Sequence, residues 1–413
     1  MENTEDVTDM YSSIKPLLCV SKLFGLTSFS FPKQNNYKYK VMQICLLFMW
    51  VTVLLSTTCC NVYTFLYSVS DVPEKIKVTF IFNNLSMTLT NIITLITNNC
   101  CNKSHTINIF KKIKNFDKIL DRRSRNKIYK TTKLSVLRRI IVVFVLILLS
   151  YSGSYYIYYD GKLVSILQAL VDNISYTLNI VVVLQYITLV RMLLHRYKFM
   201  IEKITKYSET EDSARIIYGK THSRNSSVNI FCGNNFMAST DVRPYVNIEN
   251  YGIHILRLSY IRLYETVALI NSYFGIQILL QIISLVIVCV TAFYYGLYIF
   301  CSINTDIADF TLYFKPCLLI FWTFLYATLF AWLIVCCHQT ELEGHRGIIC
   351  IQIITSHPNI KHGKLMNLNN LSNQLKDMKV EFTACGIFAL NFSLLCTVIG
   401  GILTYILIMV QLQ

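Results

Sequence analysis

Phe382–Gln413 reads FTACGIFALNFSLLCTVIGGILTYILIMVQLQ and carries no charged side chain. As one straight helix it would be about 48 Å long, more than the roughly 30 Å hydrocarbon core of a bilayer. Part of it therefore lies outside the membrane. Counting back about 20 residues from Gln413 puts the start of the span near Phe392 and leaves FTACGIFALN ahead of it.

The rest of the chain has the same character. Apolar residues make up 54% of the 413 and charged residues 15%, a balance that points to an integral membrane protein. Six more runs are long enough to cross: Val41–Tyr67, Ile76–Thr97, Ile140–Tyr158, Leu163–Val190, Ile276–Phe300 and Tyr313–Cys337. The expected fold class is an all-α membrane protein with seven transmembrane helices. The start, MENTEDVTDMYSSIKPLL, is acidic and polar, so the first span is expected to act as its own anchor rather than as a cleaved signal.

Lys and Arg decide the threading. The connection after the second span is densely basic, with only Asp117 and Asp121 opposing, and RMLLHRYK follows the fourth span; both belong in the cytoplasm. The alternate connections, SVSDVPEK, YDGK and CSINTDIADF, are short and neutral or acidic. The N-terminus is then cytoplasmic and the C-terminus extracellular, which inverts the charge map of a G-protein-coupled receptor.

The layout that follows begins with a cytoplasmic N-terminal segment at 1–40. Spans one to four occupy 41–190, with a basic cytoplasmic loop at 98–139. Cytoplasmic helix extensions and a polar loop fill 191–272, spans five and six 273–337, further cytoplasmic helices 338–391, and the last helix 392–413. Within 338–391, two helical stretches flank His357 and Pro358.

The 38 basic against 23 acidic residues flank the spans, so topology and attraction to anionic membrane lipids explain the +15 balance without nucleic acid. Most of the fifteen cysteines lie in apolar runs or in segments assigned to the cytoplasm and read as buried or reduced thiols. The histidines lack ligand spacing for a metal, no clustered catalytic set marks an enzyme, and no internal repeat marks a transporter.

Thr397, Gly401, Thr404, Ile408 and Gln411 recur at spacings of four, three, four and three, one face of the last helix. Apart from Ile408 the stripe is small or polar, and an amide in lipid needs partners or water. Two readings stand: close helix packing through Gly400, Gly401 and Thr404, or the lining of a wet pore.

Ligand-binding candidates lie in two clusters. On the fourth span Ser165, Gln168, Asp172, Ser175 or Tyr176, and Asn179 share a face, and the intramembrane carboxylate of Asp172 is either functional or a structural hydrogen-bonding group. Tyr151 and Tyr155 on the third span, and Tyr294 and Tyr295 in FYYGLYIF on the fifth, are pocket or interfacial-belt material. Trp322 on the sixth is a stacking wall or core packing. Together these groups suit a small organic ligand with hydroxyls and an apolar body.

The ending resembles the signature of the insect gustatory receptor family: Thr-Tyr, five apolar residues, Gln-Phe. It is matched at Thr404, Tyr405, Ile406 to Val410 and Gln411, with Leu412 where the family has Phe. EFTACGIFALNFSLL, from Glu381, resembles the family's lead-in to the same helix. The length, the seven spans, the inside N-terminus and IKPLLCVSKLFGL (Ile14–Leu26) agree with it.

The resemblance implies a ligand-gated, non-selective cation channel in the plasma membrane of a sensory neuron, a homotetramer or a heteromer with related receptors. Its ligand is a small-molecule tastant, cations permeate it, and it has no cofactor. Four last helices would line the pore through Thr397, Gly401, Thr404, Ile408, Gln411 and Leu412, the last two forming the outer gate. Residues 338–391 would form the base between subunits. The family's sugar branch has Glu directly after Thr-Tyr, where this chain has Ile406. That favours the bitter or plant-compound type, with the fructose type as the alternative.

Overall fold

The computed structural model describes residues 4–26, 37–67, 74–101, 103–158, 163–222, 248–301, 310–356 and 362–411. Its helices are α1 (Thr4–Leu23), α2 (Tyr37–Tyr67), α3 (Glu74–Ile96), α4 (Lys103–Asp117), α5 (Arg122–Tyr158), α6 (Leu163–His222), α7 (Ile248–Cys301), α8 (Phe310–Thr355), α9 (His362–Asp377) and α10 (Phe392–Gln411). A π-turn at Thr97–Cys101 ends α3, and a hairpin of β1 (Thr383–Ala384) and β2 (Phe388–Ala389) precedes α10. Six helices, α2, α3, α5, α6, α7 and α8, are long and apolar enough to cross a membrane, and α10 is apolar over Phe392–Ile408.

The lengths follow from the hydropathy pattern. The 20 residues of α10 give about 30 Å, one hydrocarbon thickness. With 60, 54 and 46 residues, α6, α7 and α8 run to about 90, 80 and 70 Å, so each continues well beyond a span. The basic stretch 98–139, expected as a loop, is mostly helix: α4 and the first turns of α5 carry it. Ile109, Phe110, Ile113 and Phe116 recur at helical spacing and are buried, while Lys111 and Lys118 stay exposed.

The chain divides into two compact units, Met1–Met192 with Thr266–His338 and Glu381–Gln413, and Leu193–Glu265 with Gln339–Val380. In the first, α6 is buried without a break from Thr177 to Val190, as a helix apolar on all sides must be. The hydrophobic flanks of α2 and α5 stay open, with Phe48, Phe144 and Leu149 each more than half exposed. These are the faces that suit lipid.

Polar side chains join the helices inside that unit. Asn98 Oδ1 accepts from Gln277 Nε2 at 2.6 Å, the Thr90 and Ser284 hydroxyls pair at 2.7 Å, and Asn91 Nδ2 donates to the Ser175 carbonyl at 3.2 Å. Within a bilayer such bonds supply association that hydrophobicity cannot, since lipid tails are as apolar as Leu. The N-terminal helix is tied in at its end. Gly25, at φ +69°, closes α1 with Leu26 N–H on the Ser21 carbonyl and its own N–H on Lys22, the geometry that satisfies orphan carbonyls. Trp50 Nε1 donates to the Leu23 carbonyl, and Asn99 Nδ2 to that of Gly25.

The segment ahead of the last span, expected within a run of helices, is a β-hairpin. Cys385 and Gly386 both take positive φ, 55° and 71°, and Ile387 N–H bonds to the Ala384 carbonyl, so the chain reverses instead of spiralling. Phe382, Ala384 and Leu390 are buried. Asn391 restarts the helix as its cap, with Oδ1 accepting from Leu394 N–H at 3.1 Å. Hence α10 begins at Phe392, where the length count put the start of the span.

The second unit packs the continuations of α6, α7 and α8 with α9. Tyr197 and Tyr260 meet edge to face at 6.0 Å, and Tyr260 Oη donates to the Met378 carbonyl at 3.3 Å. Leu368, Leu371 and Leu375 give α9 its buried stripe. His357 and Pro358, expected to separate the two helical stretches, lie outside the described residues; α8 ends at Thr355 and α9 begins at His362.

Candidate functional site

The last helix is held at its base and open along its length. Phe382 sits edge-on to Tyr186 at 6.4 Å, and Tyr186 in turn meets Phe274 at 4.9 Å. Asn271 on α7 grips the hairpin backbone twice: Nδ2 donates to the Glu381 carbonyl at 2.8 Å and Oδ1 accepts from Thr383 N–H at 3.2 Å. Phe392 packs edge to face on His338 of α8 at 4.7 Å.

Beyond that anchor, only Leu394 and Ile402 of α10 are buried among its described side chains. Thr397, Gly401, Thr404, Ile408 and Gln411 are all exposed. A Cβ built on Gly400 or Gly401 meets nothing within 4 Å, so no close helix packing through that pair is made among the described residues. The Thr397 and Thr404 hydroxyls satisfy themselves on the Ser393 and Gly400 carbonyls of their own helix. Leu412 lies outside the described residues.

Two of the expected ligand-binding residues come together. Tyr176 of α6 and Trp322 of α8 stack at 5.2 Å with 20° between planes, and Asn83 Nδ2 of α3 reaches the Tyr176 hydroxyl at 3.5 Å. Trp322 is 2% exposed, yet its Nε1 has no hydrogen-bond partner among the described residues; neither has Asn83 Oδ1 nor Gln281 Oε1. Gln281 is linked to the same wall through Tyr326, whose hydroxyl donates to the Gln281 carbonyl at 3.2 Å. A stacked aromatic wall and unpaired buried polar atoms are the two things a small amphipathic ligand uses.

The other expected residues scatter. Tyr151 is half-buried and Tyr155 exposed. Tyr294 is buried and lines a small pocket with Val290, Leu297 and Ile406 of α10; the adjacent Tyr295 is half-buried. The side chains of Gln168 and Asp172 lie outside the described ones. Asn83, Gln281 and Tyr326 were not singled out from sequence. A signal for one of them existed: Gln277, Gln281 and Ser284 form a polar stripe along α7 at spacings of four and three.

Another cavity lies among α1, α4, α6 and α7, lined by Leu17, Phe110, Gln185 and Tyr273 among others. At about 40 Å³ it has room for a few waters rather than an organic molecule, since each water needs roughly 10–15 Å³ of such space.

A sequence model of a family described as 7tm Chemosensory receptor matches residues 14–413. The structure of the insect olfactory receptor OR5 from Machilis hrabei is similar over 99% of this chain and 100% of its own, with TM-score 0.69 and 12% identity. The same receptor in complex with eugenol is similar over the same shares, with TM-score 0.66 and 12% identity. No curated protein matches the sequence. At that identity the likeness shows the fold, a seven-span all-α membrane architecture.

Proposed function

Because the chain belongs to the 7tm chemosensory receptor family, whose members are receptors and not enzymes, we propose that this multi-pass membrane protein is a gustatory receptor. In this reading it is a ligand-gated, non-selective cation channel opened by a small organic tastant. The observation that carries it is the uncovered stripe of α10: Thr397, Gly401, Thr404, Ile408 and Gln411 are exposed, and among the described residues nothing packs on Gly400 or Gly401. Polar groups at membrane depth need protein or water opposite them. Four copies of α10 around a common axis supply both, with the stripe facing the conduit and Gln411 and Leu412 at its outer end.

The N-terminus is then cytoplasmic and the C-terminus extracellular, as the basic connections require. The continuations of α6, α7 and α8, with α9, form the base where subunits meet. The tastant contacts Tyr176 and Trp322, with Asp172 and Gln168 on the same helix as Tyr176. The complex of Machilis hrabei OR5 with eugenol supports a small organic ligand for this fold. The Ile406 after Thr-Tyr supports the bitter or plant-compound type over the sugar branch.

The test is electrical. The chain is expressed alone in cells whose G-protein signalling is blocked, and agonist-evoked current is recorded across a panel of plant compounds. Current carried by both Na⁺ and K⁺, from a complex that sizes as a tetramer, is the expected result. Agonist responses that vanish when nucleotide exchange is blocked would overturn it.

A further inference from the structure

Arg139 of α5 and Arg191 of α6 share one aromatic ring. Their guanidinium carbons lie 5.8 and 5.9 Å from the centroid of the Trp332 indole on α8. Arg139 is 8% exposed and gives Nε to the Ser135 carbonyl at 3.1 Å and Nη1 to the Thr188 hydroxyl at 3.3 Å. Arg191 is half-buried. Neither is paired with a carboxylate among the described residues. The titratable side chain near both is Cys336, a thiol.

Two cations at one ring repel each other, and partial burial removes the water that would screen them. The indole face and two neutral acceptors offset part of that cost but bring no negative charge. Arginine is also the side chain whose planar fork grips a phosphate by two parallel bonds.

Position narrows the counter-anion. Arg139 directly precedes the apolar run that starts at Ile140, and Arg191 directly follows the one that ends at Val190. Both therefore stand where hydrocarbon gives way to headgroups, the layer in which tryptophan is also enriched. Lys130 and Lys133 are exposed on the same helix and add to the positive field. From Ile141 through Val145 to Leu148, α5 presents an exposed apolar face at spacings of four and three.

We propose that Arg139, Arg191 and Trp332 form a binding site for the phosphate headgroup of an anionic phospholipid, in the leaflet that meets the basic connections. The phosphate neutralises both guanidinium groups and so links α5 to α6. The acyl chains follow the Ile141–Val145–Leu148 face. This goes beyond the channel reading and does not depend on gating.

The test titrates the purified full-length receptor, in neutral detergent, with dioleoylphosphatidylglycerol or dioleoylphosphatidylcholine, and counts retained lipids by native mass spectrometry. The first phosphatidylglycerol is expected to bind about tenfold more tightly than phosphatidylcholine. R139Q with R191Q brings it to the phosphatidylcholine level, while R138Q, at an exposed neighbour, leaves the preference intact. R191Q alone serves if the double variant does not fold, and it should lose most of the preference. Equal retention of the two lipids by the native chain, or a preference that survives R191Q or the double variant, would overturn the site. Displacement of the first phosphatidylglycerol by millimolar inorganic phosphate would assign the site to a free anion and overturn the lipid as its source.

Discussion

Gly275 of α7 lies directly against the backbone of Cys385 at the hairpin turn: a Cβ there would sit 3.0 Å from the Cys385 amide nitrogen. With Asn271 one helical turn earlier holding Glu381 and Thr383, the same face of α7 both grips the hairpin and leaves room for it. Gly275→Val forces the turn away and is expected to cost about 1–3 kcal/mol through overpacking. Asn271→Ala should cost a similar amount, because it leaves Thr383 N–H unpaired. Thermal melts of the detergent-purified chain measure both. A Gly275→Val variant as stable as the native chain would show that the hairpin does not seat there.

The unpaired Nε1 of Trp322 separates ligand binding from packing. Trp322→Phe keeps a ring to stack on Tyr176 but removes a buried donor that has no partner among the described residues, so the empty receptor should be no less stable, within about 1 kcal/mol. If the tastant accepts a hydrogen bond from that indole, agonist potency falls about tenfold, the equivalent of roughly 1.4 kcal/mol, with unitary conductance unchanged. Trp322→Ala should weaken potency further and lower stability too. Concentration–response curves and single-channel recordings read the two effects apart, and a Trp322→Phe receptor with native potency would place the ligand elsewhere.

Much of the architecture was legible because hydropathy over 20 residues reports burial in lipid whatever the neighbours are. The same count placed the start of α10 at Phe392. The hairpin was not legible: nothing local in FTACGIFAL forbids helix apart from Gly386, and its strands exist because Asn271 and Gly275, more than 100 positions away, accept them. Tyr294 and Tyr295 illustrate a second limit. Adjacent helical residues point about 100° apart, and their surroundings differ: Tyr294 is buried and lines a small pocket with Ile406, while Tyr295 is half-buried. Asn83 and Gln281 needed tertiary contacts to stand out from other polar residues in the spans.

Asn98, in the π-turn that ends α3, and Gln277 of α7 are joined by a 2.6 Å bond in the buried core. Bonds of this kind in membrane proteins average about 0.6 kcal/mol, with a ceiling near 1.7, because the separated helices also find partners. A double-mutant cycle with Asn98→Ala and Gln277→Ala should return a coupling energy in that range by thermal or denaturant unfolding. A coupling indistinguishable from zero would mean that packing alone sets the α3–α7 contact.

The exposed stripe of α10 makes the sharpest contrast between conduit and packing. Gly401 has open space around it among the described residues, and alanine favours helix over glycine by about 1 kcal/mol. If the stripe faces water, Gly401→Ala leaves the tetramer intact, holds or raises its melting temperature, and changes conductance. If Gly401 instead lets a neighbouring helix approach closely, the added methyl loosens assembly and lowers that temperature. Accessibility supplies the second axis. Thr404→Cys should react with a charged, water-soluble thiol reagent during agonist application and alter current, whereas Leu403→Cys, about 100° around the helix, should react far more slowly. Both are exposed in the single chain, so only the surroundings in the assembly can separate them. Cys396 on the same helix is also exposed and is replaced by Ser in the background. Equal reaction rates at 403 and 404, with destabilisation by Gly401→Ala, would remove α10 as the ion path.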